Sequence, residues 1–421
     1  MRRVATVWWP LAASWLMMGI EQPLLGAAVA RLPDPEVQLA AFGGVVFPVA
    51  LVVEAPVIMM LAASTELSRD RAAYRALSRV ANGLGLVLTV LHLLVALTPA
   101  FDWLASSVLD VPPQVREPAR QGLILLVPWT WAIASRRFHQ GALIRHGKSR
   151  TVGIGTALRL VVTCSVLGGG LWIGTGPGAV VAALALSSGV LAEAAYAALV
   201  VRPIVRTLPD TSDRTPLRGL AFWRFYVPLA MTPLITLVIL PVGTAAVSRM
   251  PMALASLALW PMVNGFVFVL QALGLAYNEV VVALLDDPGS RRPLRRFSWM
   301  LVVGTTSVLA LMSFTPLADA WFLVVSGLSP SLATMAASVL WMALPIPAMR
   351  VLQSWLQGLL VHSRQTRGIT EAVGAFAFAA LTVLLFGVWR SEWSGLQVAV
   401  VAYSSGRVVQ TLWLAWRARR L

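Results

Sequence analysis

The chain has one cysteine, Cys164, in 421 residues, and only 12% of its residues are charged. A single thiol excludes an intramolecular disulfide and a thiolate metal cluster. The charged share is about half that of a soluble globular protein. No soluble domain is visible, because the longest polar connection runs only from about Leu208 to Arg218. Histidine is scarce too, and His92, His139, His146 and His362 lack metal-ligand spacing. No catalytic triad or ATPase motif appears, so the chain does not read as an enzyme. The run GGGLWIGTGPG at Gly168–Gly178 has the glycines of a phosphate loop without its lysine or strand–loop–helix context, and reads as a tight turn. Without nucleotide chemistry, any active transport would draw on an ion gradient or on the substrate's own gradient.

Apolar residues are what the chain has in abundance. They make up 58% of it, with mean hydropathy +0.77. Apolar runs repeatedly reach about 20 residues, enough to cross a hydrocarbon core of roughly 30 Å. The fold class is therefore an all-α polytopic membrane protein with about twelve transmembrane helices. The spans fall near 7–30, 38–63, 76–99, 121–144, 152–174, 178–201, 222–247, 254–283, 297–316, 334–361, 369–390 and 396–416. The opening MRRVATVWWPLAASWLMMG mimics a signal peptide but has no convincing cleavage site, so it reads as the first span.

Net charge is +15. In a soluble protein that would suggest nucleic acid; here positive loops that stay cytoplasmic explain it, and no nucleic-acid partner is expected. Arg2 and Arg3, then Arg69–Arg79, Arg145–Arg150, Arg202–Arg218, Arg291–Arg296, Arg364 with Arg367, and Arg417–Arg420 mark every second loop. The alternate loops hold only Arg31, Arg116, Arg120, Arg249 and Arg390. This places both termini in the cytoplasm of a bacterial inner membrane, where the chain would lie in the bilayer as a monomer.

The chain also repeats itself. VPWTWAIASRRFHQGALIRHGKSR aligns without gaps to LPIPAMRVLQSWLQGLLVHSRQTR, at an offset of 217 (345 − 128 = 217). The same offset pairs TPAFD at 98–102 with TPLAD at 315–319, and Ser187-Ser188-Gly189 with Ser404-Ser405-Gly406. Near the start it becomes 218, pairing Pro10 with Pro228, Pro23 with Pro241 and Arg31 with Arg249. Blocks in the same order along the chain indicate a duplicated six-helix unit: 1–207 and 221–421, joined by a cytoplasmic linker at 208–220. An even number of helices per half gives both halves one orientation, as in parallel-repeat transporters that work by alternating access around a central cavity.

A charge in mid-bilayer costs roughly 3 kcal/mol on insertion scales, so each one needs a partner or a watery cavity. Arg350, Gln353 and Gln357 share one helix face at spacing i, i+3, i+7. The matching helix offers Arg136, Arg137 and Gln140, unless Arg136 and Arg137 snorkel to the cytoplasmic surface. Arg407 follows the second Ser-Ser-Gly. Asn264 and Gln271, with Asn278, lie seven apart and could bind substrate or bond neighbouring helices. These residues form the candidate substrate site. Glu21 and Gln22 before Pro23, and Glu54 before Pro56, sit where a proline frees backbone carbonyls. They are the candidates for coupling a proton or Na⁺. Glu193 and Glu279 read instead as structural partners of the arginines. No metal or cofactor is expected.

GIEQPLLGAAVARLPD (19–34), AFWRFYVPLA (221–230) and PIPAMRVLQSWLQGLL (345–360) resemble the progressive ankylosis protein family. Twelve spans in two parallel halves place that resemblance within the MATE and polysaccharide-flippase (MOP) superfamily. The resemblance implies a secondary exporter of small polyanions such as citrate, pyrophosphate or ATP, in keeping with more buried arginines than acids. The alternatives are a flippase for an undecaprenyl-linked sugar, a cation or drug antiporter, or a non-transporting membrane scaffold.

Overall fold

The computed structural model describes residues 1–210, 219–285, 289–363, 365 and 367–419. Arg214, Arg218, Arg364, Arg420 and most of the expected linker at 208–220 lie outside the described residues. Among the described residues twelve long helical segments occur, each on one of the expected spans. They are α1 (Arg2–Val29), α2 (Pro35–Leu67), α3 (Arg71–Leu97), and α4 in two pieces (Pro113–Leu125 and Val127–Arg145). There follow α5 (Ser149–Ile173), α6 (Gly178–Thr207), α7 (Gly219–Ser248), α8 (Ala253–Leu284) and α9 (Arg291–Phe314). The series ends with α10 in two pieces (Pro330–Ala343 and Pro345–His362), α11 (Arg367–Arg390) and α12 (Gly395–Ala418). Among the described residues, eight helices are long and apolar enough to cross a membrane, or nine if the pieces of α10 are taken together across their 41° bend. α1, α4 and α12 are not among them; α4 carries Arg136, Arg137 and Gln140, and α12 carries Arg407 and Gln410.

Local chemistry sets the breaks. Prolines stand in the first turn of both pieces of α4 and of both pieces of α10, where the missing N–H costs nothing. Spans four and ten were expected to be continuous, yet each is interrupted just before those prolines. Within α2 the residues Ala40–Val46 form a π-helical turn, and the helix breaks again at Met59. The Tyr226 hydroxyl donates to the Pro56 carbonyl near that break, at 2.6 Å. Asp70 caps α3 through Ala73 N–H, and Ser394 with Gln397 forms a capping box on α12. Gly168–Gly170 were expected in a turn but belong to α5, which continues to Ile173. A Cβ on Gly170 would overlap Val181, so this glycine serves the close packing of α5 on α6.

The duplication is written in the backbone. A short helix at Ala100–Trp103 runs into a π turn at Leu104–Val108; Leu317–Ala320 and Trp321–Val325 repeat both at an offset of 217. Left-handed residues recur in the same register: Asp34 with Met252, Asp110 with Gly327, and Gly174 with Ser391. The ends of α3 and α9, and of α5 and α11, also match.

Packing divides the chain differently from the repeat. One compact unit comprises Leu32–Thr244; the other comprises Met1–Arg31 and Ala245–Leu421. α1 thus packs with the C-terminal elements. It lies along α8, where Gly19 meets Phe268 and Ala272, Gly26 meets Met262, and Trp8 Nε1 donates to the Leu273 carbonyl at 3.0 Å. Arg31, just past α1, donates to the Val324 and Val325 carbonyls and so closes the π turn. α7 enters the other unit: Phe222 and Tyr226 stack at 5.4 Å within a core that includes Tyr74 and Phe138.

Candidate anion site and its counterpart

In the unit that contains α8 to α12, Gly274 lets α10 come close to α8 at Arg350 and Val351, because a Cβ there would stand 3.1 Å from the Val351 nitrogen. This approach sets Arg350 one turn beyond the bend. Gln353 is fully buried, and its amide donates to the Arg407 carbonyl at 3.1 Å and to Thr411 Oγ1 at 3.0 Å. Clamped in this way, its carbonyl oxygen faces both guanidinium groups. Arg350 Nη1 donates to it at 3.4 Å and Arg407 Nη1 at 3.5 Å.

The two arginines are held unequally. Arg407 also donates to Gln410 Oε1 at 3.1 Å and to the Tyr403 hydroxyl. Its guanidinium carbon lies 4.7 Å from the Tyr403 ring centroid and 4.9 Å from that of Phe376. Trp260 backs Tyr403 edge-on at 5.9 Å. Arg350 has one long bond, and its Nε is buried without a partner. A guanidinium carries five N–H donors, so most of the donor capacity of Arg350 is unspent. No carboxylate pairs with Arg350 or Arg407 among the described residues. Gln271 is 1% exposed with its amide nitrogen unpartnered, and it approaches Tyr403.

The equivalent place in the other unit is neutralised. Arg136 Nη1 donates to Glu193 Oε2 at 2.7 Å, Gln140 Nε2 to Glu193 Oε1 at 2.9 Å, and Thr156 to the same oxygen at 3.3 Å. Arg159 stands 3.8 Å from Glu193 Oε2. Glu193 is 0% exposed and Arg136 only 7%. Arg136 therefore does not snorkel, and the expected structural role of Glu193 matches this geometry. Arg137 lies near Arg136 and Glu54, with its Nε unpartnered. Glu54 is 5% exposed, and its Oε2 is buried without a hydrogen bond among Arg137, Arg136 and Arg159.

The repeat register aligns the two places. Arg136 matches Gln353, Glu193 matches Gln410, and Arg159 matches Phe376; Ile133 matches Arg350 and Val190 matches Arg407. The second copy carries glutamine in place of the acid and has two additional arginines.

The other expected residues are spread out. Gln357 and Asn264 are half-buried and have no hydrogen bond among the described residues. Gln22 packs against Gly265 on α8, and Glu21 is 4% exposed. Asn278 bonds the Ser354 carbonyl, a helix-to-helix role, and exposed Glu279 takes a bond from Trp15 Nε1 at 3.4 Å. Tyr403 and Gln410 were missed, although spacings of four and three from Arg407 put them on its face. Arg159, Thr156 and Phe376 come from other helices, and only packing brings them in.

No protein-family model and no curated protein matches this chain. Solved structures do match. An inward-facing multidrug resistance MATE family transporter of the MOP superfamily superposes with TM-score 0.66 at 14% identity, covering 97% of this chain and 98% of that one. The lipid II flippase MurJ in an inward closed conformation gives 0.73 at 12%, covering 97% and 87%. This chain shares the fold of these two proteins. A third MOP transporter, from Pyrococcus furiosus, gives 0.66 at 15%, covering 99% and 96%; its binding pocket is described as reversed in polarity. At such identities the MOP likeness speaks for architecture and leaves substrate to the residues.

Proposed function

We propose that this chain is a MOP-type secondary transporter of small polyanions, working by alternating access, with Arg350 and Arg407 as the substrate-charge site. The observation that carries this reading is the change between the two copies of one site. Where the first copy holds Arg136 against Glu193, the second has Gln353 and Gln410, and adds Arg350 and Arg407 with no acid beside them. Two uncompensated guanidiniums converging on one carbonyl oxygen are costly unless an anion spends part of its time there. Citrate, pyrophosphate and ATP carry several charged oxygens, each able to take the free N–H groups of Arg350.

Gln353 orients both arginines, and Gln271, with its amide nitrogen unpartnered near Tyr403, supplies a further hydrogen bond. Arg136, Arg137 and Gln140 would meet substrate only if Glu193 released them, so their part is secondary. A cation or drug antiporter would want acids where these arginines stand. A scaffold would need its cations satisfied, and this holds for Arg136 but not for Arg350. Glu54 is the preferred coupling residue, because its buried carboxylate has an oxygen open to a proton; Glu21 with Gln22 is the other candidate.

The pyrophosphate of an undecaprenyl-linked sugar suits the same arginine pair, and the superposition on a lipid II flippase makes this the second reading. Proteoliposome counterflow with labelled citrate, pyrophosphate and ATP, run beside a lipid-linked sugar flip assay, separates the two. Robust anion transport that Arg350→Gln leaves unchanged would sink the assignment.

A further inference from the structure

A second basic feature lies in the unit built from residues 32–244. Tyr74 of α3, His139 of α4, and Arg202 and Arg206 of α6 line a cavity of about 400 Å³, with Ala198 and Val201 as its apolar wall. That volume lies within the roughly 300–1,000 Å³ of small-molecule sites. The cavity lies against the last three turns of α6, at the end of the unit that also carries Arg71–Arg79 and Arg145–Arg150.

Its polar groups are poised and unspent. Arg202 and Arg206 are exposed, one helical turn apart, and no carboxylate pairs with either among the described residues. Two described acids stand nearby: Asp70 caps α3 through Ala73 N–H, and Asp210 accepts from Arg71, which also donates to the Arg206 carbonyl. Ser135 Oγ sits 3.3 Å from His139 Nδ1, which fixes the ring and leaves Nε2 for a ligand. The Tyr74 hydroxyl has no partner among the described residues, while its ring packs on Phe138 at 4.8 Å.

Retention of loops on the cytoplasmic side accounts for arginines at a helix end. It does not account for a cavity that gathers two of them with a histidine and a tyrosine from two other helices. Nor does the duplication account for it, because the second copy has Leu356 at the place of His139 and Arg292 or Arg291 near that of Tyr74.

The geometry points to a binding site for a phosphate group in this cavity, with the Arg202 and Arg206 guanidiniums on its oxygens and Tyr74 and His139 as additional donors. The apolar wall of α6 would suit the glycerol and upper acyl chain of an anionic phospholipid, and basic pockets between helices at this depth favour such headgroups. A soluble phosphate ester presents the same oxygens without the chains. This site goes beyond the transport reading and does not depend on it.

The test uses the full chain, purified in detergent and supplied with phosphatidylcholine, with phosphatidylglycerol, or with inorganic phosphate. The readouts are thermal unfolding and lipid adducts in native mass spectrometry. Phosphatidylglycerol should be retained over phosphatidylcholine, and the double variant Arg202→Ala/Arg206→Ala should lose that preference by on the order of tenfold. The double variant Arg75→Ala/Arg79→Ala, on the neighbouring surface, should keep it. Protection by inorganic phosphate alone, lost in the same Arg202/Arg206 variant, would uphold the site and assign it a soluble ligand. Equal responses from wild type and the Arg202/Arg206 variant would overturn the proposal, as would an equal loss in the Arg75/Arg79 control. If the double variant does not fold, His139→Leu, which installs the residue of the second copy, carries the test: unchanged retention overturns the site and reduced retention upholds it.

Discussion

Replacing Arg350 by glutamine should move two measurements in opposite directions. A lone arginine in a spanning helix costs roughly 3 kcal/mol on insertion scales. Arg350 recovers part of that through one 3.4 Å bond to Gln353 and through its partial exposure, and it bears the repulsion of Arg407. Without ligand, Arg350→Gln should therefore stabilise the fold by about 1–2 kcal/mol. For a unit of roughly 200 residues this raises the unfolding midpoint by about 2–4 °C per kcal/mol. With anion, the variant loses charge-assisted hydrogen bonds worth about 1.5–3 kcal/mol, so substrate affinity should fall by roughly 10- to 150-fold. Thermal unfolding in detergent reads the first effect, and concentration-dependent uptake into proteoliposomes reads the second. A purely structural Arg350 predicts the reverse pattern, a lowered midpoint with unchanged uptake, and that result would refute the reasoning.

Other sites give further expectations. Glu193→Gln leaves Arg136 and Arg159 without their acid in a buried place, so the midpoint should drop by an amount equivalent to about 3–5 kcal/mol; a loss below 1 kcal/mol, measured by denaturation, would show the pair to be solvated. A Cβ on Gly141 would overlap the Leu61 carbonyl, so Gly141→Ala should cost about 3 kcal/mol, while Gly83→Ala, with open space around it, should gain about 0.5–1 kcal/mol of helix propensity; the order of the two midpoints is the check. Glu54→Gln should remove the response of uptake to an imposed pH gradient while sparing downhill exchange. A gradient response equal to wild type would dismiss Glu54 as the coupling group.

The architecture was legible where it depends on composition and repetition. Hydropathy located the helices, and the offset of 217 found in the sequence recurs in backbone dihedrals. The repeated glycines were legible for a reason that emerges only in three dimensions. Gly141 and Gly358 each admit a neighbouring helix that a Cβ would push away, and so do Gly189 and Gly406. The face joining Arg350 to Gln353 followed from helical spacing alone. The helix breaks at Leu126 and Leu344 were hidden, because a hydropathy window averages over the proline that causes each. Arg159 and Phe376 were hidden because they join their clusters from helices distant in sequence.

The docking of α1 among elements that begin at Ala245 bears on how the protein is made. α1 leaves the ribosome ahead of residues 32–244 and must wait while they are synthesised, on the order of 10–40 s at about 5–20 residues per second. During that interval Glu21, later buried, and the small faces at Gly19 and Gly26 would be presented to lipid or to the insertion machinery. Its folding partner α8 emerges only after the whole first copy of the repeat. Co-translational assembly of this chain is therefore non-sequential, because α1 reaches its packing partners only after residues 32–244 have been made.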